Sequence, residues 1–394
     1  MMTSSAEQLI EPSWDRARES AWQLGKVIAA NNSDAVEELP ITDALNRILA
    51  FDATSLVDLP TYETSAMDGY AVAGDGPWQI IGEIKAGAPF VGELKAGQAL
   101  GIATGAVIPD GAFGILRWED ATVNGDQLSG QTKHRKDFRE AGAEAKRGEV
   151  LISSGTQLSP GMIGLLAAAG FDQIKVFRKP KLALLILGDE IQLAGIPSGG
   201  LVRDSLGPQL PGWIERLGCE VSHVEYVSDQ LDLTIKALSA AAKKYELIAT
   251  TGGTADGPRD FLHKAITQLD GVIQVDKVAV RPGHPQLLAT INGKPLFGLP
   301  GNPQSAVVAL LTLGQPLIDA LFGRELAELP LISSDDQFEA VPGFTRLVLG
   351  TNQNGRFRMG RYLGSAMLRS LAHAEGFAIC TNPPTTLRWL GLPS

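Results

Sequence analysis

Across residues 180–322, apolar runs of strand length alternate with stretches of helical period. Residues 180–190, PKLALLILGDE, are almost continuously apolar, as a strand buried on both faces should be, and break off at Gly188, Asp189 and Glu190. Residues 217–226, 246–249 and 294–299 are further strand candidates, with helical patterns over 232–244 and 261–269 between them. The run Pro300-Gly301-Asn302-Pro303 opens another helix: Asn302 suits an N-cap, Pro303 the first helical position, and residues 306–313 an apolar face ending at Gly314. This alternation predicts a parallel sheet with helices on both faces. Three strand ends, at Asp189-Glu190, Thr251-Gly253 and Pro300-Asn302, then converge on one crevice at the carboxyl edge, where open α/β sheets keep their ligands.

The flanking segments have other periods. Residues 13–30 read as a helix capped by Ser13, and 42–50 as a second, short helix. From 78 to about 150, short apolar runs separated by glycine turns indicate an all-β inserted domain. A helix follows over 158–170, and beyond Pro330 short strands return as a small C-terminal β domain. A chain of 394 residues calls for two to four domains. The net charge of −10 argues against nucleic acid and requires that any anionic ligand find local positive groups. Cys219 and Cys380 form neither a metal spacing nor a disulfide framework, which fits a reduced, cytoplasmic setting. The apolar runs at 181–187 and 306–313 fall short of the ~20 residues that span a bilayer, so no membrane insertion is expected.

The stretch 250–261, TTGGTADGPRDF, carries the most suggestive chemistry. Gly252 and Gly253 can take positive φ and turn backbone N–H groups toward an anion, and Asp256 and Asp260 add carboxylates. Phosphate and carboxylates make sense together around a cation, with Mg²⁺ first in line; alone, the same residues also read as a plain turn. In 64–72, TSAMDGYAV, Asp68 lies at the tip of a tight turn. In 103–112, ATGAVIPDGA, the Thr104 hydroxyl and a free backbone N–H at Gly105 could bind an oxyanion. Residues 135–144, RKDFREAGAE, read as a solvated loop.

SAMDGYAV at 65–72, TGAVIPDGA at 104–112, GDE at 188–190, Asp204-Ser205, TGGTADGPRDF at 251–261, KVAVRPGHP at 277–285 and GLPGNPQSA at 298–306 stand in one order over almost the whole chain. In this the sequence resembles the molybdopterin molybdenumtransferases, the MoeA family, which includes the E domain of gephyrin. The resemblance implies a multidomain α/β fold with four parts. These are a discontinuous linking domain (1–50 and 145–178), an inserted β domain (51–144), a central molybdopterin-binding-like α/β domain (179–328) and a C-terminal β domain (329–394). It also implies a homodimer that inserts molybdate into adenylated molybdopterin with Mg²⁺ and releases AMP.

On this resemblance Asp68, Thr104, Asp260, Lys277 and Arg281 are the catalytic candidates, Asp68 and Thr104 coming from the partner copy. Glu190, Asp204 and Asp260 would hold the metal. Gly188, Asp189, Glu190, Asp204, Ser205, Thr251, Gly252, Gly253, Pro300, Gly301, Asn302, Pro303, Ser305 and Ser365 would bind the substrate. The sequence departs from the family pattern at Ala143 and Glu144 after Gly142, at Ile186 and Leu187 where hydroxyls are usual, at His284 in place of lysine, and at Glu375 in place of asparagine. Gly207, Pro208, Pro211 and Gly212 predict a displaced or late helix after Ser205. These departures admit a second reading, a gephyrin-like dimeric scaffold that captures a short peptide tail of a filament-forming or membrane-associated partner.

Overall fold

A computed structural model describes residues 8–32, 34–85, 87–255, 257, 260–337, 341–381 and 387–393. The chain divides into two compact units, residues 1–36 with 177–394 and residues 37–176. The N-terminal helix falls within the first of these units.

The first unit contains two large sheets and a two-stranded ribbon, Ile191–Gln192 with Val202–Arg203. Its elements in chain order are β1 (Leu9–Ile10), α1 (Trp14–Ala30), β2 (Lys181–Leu187), α2 (Leu206–Arg216), β3 (Glu220–Val227), α3 (Leu231–Lys244), β4 (Leu247–Thr251), α4 (Leu262–Gln268), β5 (Val272–Asp276), β6 (Val280–Arg281), β7 (Leu287–Ile291), β8 (Lys294–Leu299), α5 (Pro303–Leu321), β9 (Leu331–Ser334), β10 (Thr345–Gln353), β11 (Arg356–Met359), β12 (Gly376–Cys380) and β13 (Leu387–Gly391). The larger sheet has seven strands in the order β1-β5-β7-β8-β4-β2-β3. Four of them, β8, β4, β2 and β3, are parallel as the sequence predicts. On the flank β7 runs antiparallel to β5 and β8 while β1 pairs β5 in parallel, because Asn292 and Gly293, both at positive φ, make a two-residue hairpin between β7 and β8. That Asn-Gly signal is in the sequence, and the all-parallel expectation overlooked it.

In β2, Ala183, Leu185 and Leu187 pack with α3 and α4 side chains in one apolar cluster. Leu182, Leu184 and Ile186 alternate to the other face and are equally buried. With both faces covered, each buried leucine or isoleucine contributes about 1.5–3 kcal/mol of burial. Ile186 and Leu187 are therefore core residues whose side chains serve the sheet.

Two helices differ from expectation. The chain at 42–50 forms only a 3₁₀ turn at Ile41–Asp43. The helix after Asn302 does not stop at Gly314: it runs to Leu321 through a π-helical turn at Leu310–Gly314. This widened turn falls just before Pro316, which cannot donate to a regular one. The helix is long and apolar enough to cross a membrane, but 83% of its most apolar window is buried in the protein. It serves as a core element: Trp14 of α1 donates from Nε1 to Thr312 Oγ1 at 2.9 Å, and Gly25 lets α1 approach the Leu317 carbonyl.

The second sheet of this unit has six strands, β6-β10-β11-β9-β13-β12, and β10 also pairs with β12, so that five of them close on themselves. Strand β6 belongs to the chain of the central region and joins the C-terminal sheet by parallel pairing with β10, Val280 opposite Thr345 and Arg281 opposite Arg346.

The second unit is all-β apart from one short helix, Pro160–Ala168, and 3₁₀ turns. Its six-stranded sheet orders Gly114–Arg117, Gly69–Val72, Gln98–Ile102, Trp78–Ile84, Gln127–Ser129 and Thr122–Asn124, around a core that includes Ala71, Leu94, Ile102 and Ile115.

Candidate active site

The carboxyl ends of β2, β4 and β8 lie side by side, with Ile186 opposite Thr251 and Thr251 opposite Leu299. Gly188, Gly252 and Pro300 therefore leave the sheet at one edge, and the predicted convergence holds. Gly252 and Gly253 have φ of 77° and 66°. A side chain at Gly252 would place its Cβ 2.8 Å from the Leu187 carbonyl oxygen, so only glycine fits there. The Gly252 N–H donates to the Leu299 carbonyl at 2.9 Å and is not available to a ligand. Asp260 closes the following loop, its Oδ2 accepting from the Gly257 N–H at 2.6 Å; Asp256 lies outside the described residues.

Asp204 is buried, and its carboxylate is fully engaged. Oδ1 accepts from the N–H groups of Leu206 at 2.9 Å and Gly207 at 3.0 Å, and Oδ2 accepts from the Tyr226 hydroxyl at 2.8 Å. Burial and the hydrogen bond to Asp204 both push the Tyr226 phenol up. This cap explains why α2 starts at once, against the expectation of a late helix. Pro208 falls in the first turn, where its missing N–H costs nothing, and Gly207 leaves room for the carboxylate and the phenol. Asp204→Ala is expected to lower stability by about 1–2 kcal/mol, and Asp204→Asn to restore most of it. Urea unfolding of the three proteins checks this, equal stability of all three being the contrary result.

The carboxylates proposed for a metal do not gather. Among the described residues no three His, Cys, Asp or Glu side chains are placed to hold a metal ion. Asp204 caps α2, Asp260 closes its own loop, and Glu190 folds back over Gly188. Among the described residues these carboxylates therefore do not converge on one shared metal position. Asp189 is exposed and exchanges backbone-to-carboxylate contacts with Asp229 across the tips of β2 and β3.

Beyond Pro300 the crevice continues into a pocket of about 460 Å³, lined by Arg281, His284, Asn302, Ser305, Arg346 and Ser365 among others. The β6–β10 register puts Arg281 and Arg346 side by side. Arg281 lies over the Phe344 ring at 4.7 Å, and His284 meets the edge of that ring while its Nε2 contacts Glu11 Oε1 at 2.9 Å. Asn302 makes no N-cap hydrogen bond with its side chain. Its Nδ2 donates instead to Ser365 Oγ at 3.2 Å, and the Gln304 N–H donates to the Ser365 carbonyl, which ties the start of α5 to the C-terminal domain. The two guanidinium groups bring two positive charges to the lining of one pocket, where they can be shared by an anion. Sequence reasoning found Arg281, Asn302, Ser305 and Ser365 but missed Arg346, which lies in an ordinary-looking strand of a different domain. Lys277, at φ 61°, does not line the pocket.

In the second unit Asp68 and Thr104 do come together, the Thr104 N–H donating to Asp68 Oδ1 at 2.7 Å. The Gly105 N–H donates to the Ser65 carbonyl at 2.8 Å, so the free backbone donors expected here are already used. The Thr104 hydroxyl is the group that remains. Residues 135–144 are less solvated than their charge suggests: Asp137 takes a bidentate pair from Arg117 at 2.8 and 2.7 Å, which holds its carboxyl below the usual range.

Residues 13–170 match the family model described as the MoeA N-terminal region (domain I and II), and residues 183–320 that of a probable molybdopterin binding domain. A molybdopterin molybdenumtransferase of Haemophilus influenzae is 35% identical over 298 residues, which cover 73% of this chain and 74% of that protein. One from Staphylococcus epidermidis is 28% identical over 78% of this chain and 77% of its own. The crystal structure of a molybdopterin biosynthesis MoeA protein from Pyrococcus horikoshii superposes with a TM-score of 0.77 at 26% identity, covering 98% of this chain and all of that one. With the converging strand ends, the capped Asp204 and the paired arginines in place, the chain belongs to the molybdopterin molybdenumtransferase family, transferases of molybdenum cofactor biosynthesis.

Proposed function

We propose that the protein transfers molybdenum from molybdate to the dithiolate of an adenylated molybdopterin and releases AMP. The observation that carries this reading is the side-by-side placement of Arg281 and Arg346 in a pocket that opens beside the β8–α5 turn. A tetrahedral dianion fits two guanidinium forks and the hydroxyls of Ser305 and Ser365. The glycine turn after β4 and the Asp204-capped start of α2 form the neighbouring crevice, where the pterin and its phosphates lie beside the oxyanion. Arg281 and Arg346 hold the molybdate and offset its charge as sulfur approaches, which is stabilisation by groups already in position. No step is assigned to a resident Mg²⁺, because among the described residues the carboxylates do not converge on one shared metal position.

The active form in this reading is a homodimer in which Asp68 and Thr104 act on the crevice of the second copy. Asp68→Ala and Arg281→Ala are each expected to abolish AMP release. A refolded mixture of the two is expected to recover part of it, since some mixed dimers carry one intact site; no recovery from a mixture shown to form mixed dimers would contradict the shared site. The peptide-scaffold alternative drew on the loss of hydroxyls at 186 and 187, and both side chains are buried in the sheet core, so no specific observation favours it.

A further inference from the structure

The C-terminal domain has a second basic concavity that the proposed reaction does not use. From Gln353 to Ala374 the chain has four arginines and no aspartate or glutamate, in a protein whose net charge is −10. Strands β10 and β11 and the 3₁₀ turn Leu371–His373 gather three of those arginines, Arg358, Arg361 and Arg369, with His373, Ser370 and Tyr362 around a pocket of about 360 Å³. It shares no lining residue with the Arg281–Arg346 pocket.

The pocket is built as well as charged. Gly350 lets β10 pass against the Arg358 carbonyl and the Phe357 ring, where any side chain would collide. The Tyr362 N–H donates to Ser370 Oγ at 2.8 Å, and Arg369 is held by its Nη1 contact to the Tyr362 hydroxyl at 3.0 Å with its guanidinium over the ring at 5.2 Å. Arg358 shares Asp335 with Arg356, at 3.5 and 3.2 Å. Among the described residues no carboxylate pairs with Arg361, Arg369 or His373, and none lines the pocket. A concavity of this size whose charged groups are all donors selects a small, acceptor-rich anion.

We propose that this pocket is a second anion site, one that takes the phosphate or diphosphate group of a small molecule. A phosphate offers three acceptor oxygens and up to two negative charges to forked guanidinium groups, and a pocket of this volume encloses a headgroup rather than a length of chain.

Titration calorimetry of the full chain with pyrophosphate at low ionic strength tests this. Wild type is expected to bind one equivalent at this pocket beside any taken by the proposed active site, and Arg281→Ala/Arg346→Ala to keep it, weakened at least tenfold by 0.5 M salt. Arg361→Glu, a change at an exposed side chain, is expected to remove one equivalent from wild type and one from the double variant, with circular dichroism unchanged. Arg369→Ala is a second variant for the same loss. Retention of this equivalent in Arg361→Glu and Arg369→Ala would overturn the proposal. So would a double variant that binds no pyrophosphate, or one that binds hexaglutamate instead, which would mark a peptide surface. Because the double variant lacks the arginines of the proposed reaction, its result stands whether or not that reaction occurs.

Discussion

Replacing Arg346 by alanine is expected to weaken molybdate binding by about 10- to 150-fold, the loss of a charge-assisted contact of about 1.5–3 kcal/mol. Arg346 faces Arg281 across the β6–β10 pairing, so the unliganded protein carries two like charges side by side. With Arg346 removed, molybdate binding should fall while the melting temperature of the free protein changes little. A purely structural arginine would show the reverse, a fall in stability with affinity unchanged. Equilibrium dialysis with molybdate, beside a thermal melt, separates the two. Arg346→Lys should recover only part of the binding, because an ammonium supplies charge without the planar fork.

The second large effect is expected at Gly252. Its φ of 77° costs a residue with a Cβ about 1–2 kcal/mol, and the added carbon would stand 2.8 Å from the Leu187 carbonyl oxygen. Gly252→Ala must therefore push β4 and β2 apart at their carboxyl ends, the edge that forms the crevice. Its melting temperature should fall by about 2–4 °C for each kcal/mol lost. AMP release should fall further than stability does, since the loop proposed to carry the phosphates moves with the strand end. Gly301 is the matched control: it has no positive φ, and a Cβ there would meet nothing within 4 Å. Gly301→Ala should melt like wild type, and a Gly252→Ala protein that behaves the same way would count against the close approach at this turn.

The sheet edge was legible in the sequence because buried strands that end in glycine or proline state their own termini. PKLALLILGDE, ELIATTGG and LFGLPGN are all of that kind, and their adjacency followed from the topology of parallel sheets. Partners brought by long-range pairing were not legible. Arg346 is separated from Arg281 by a whole domain's length of chain, and only the parallel β6–β10 register makes them neighbours. Hydrogen-bond occupancy was hidden for a similar reason: the N–H groups of Thr104, Gly105 and Gly252 look available in a glycine-rich loop, and each is taken by an acceptor remote in sequence. Asp204 shows the opposite case. Asp followed by Ser, Leu, Gly and Pro looked hostile to a helix, yet the Asp204 carboxylate and a proline in the first turn are what start it.

Two departures from the family pattern have a structural meaning. Ile186 and Leu187 replace hydroxyls, but they point into the packed faces of β2, so the change belongs to the core. His284 lines the Arg281–Arg346 pocket next to Glu11, so a histidine there in place of the family's lysine alters the charge of that pocket.

The central claim is that the arginine pocket and the glycine crevice together move molybdenum onto an adenylated dithiolate. Single-turnover AMP release from molybdopterin adenylate by the wild-type chain, with and without molybdate, tests it most directly. Release that requires molybdate and is lost in Arg281→Ala is the predicted result; no release from the wild type, or release that is indifferent to molybdate, would contradict it.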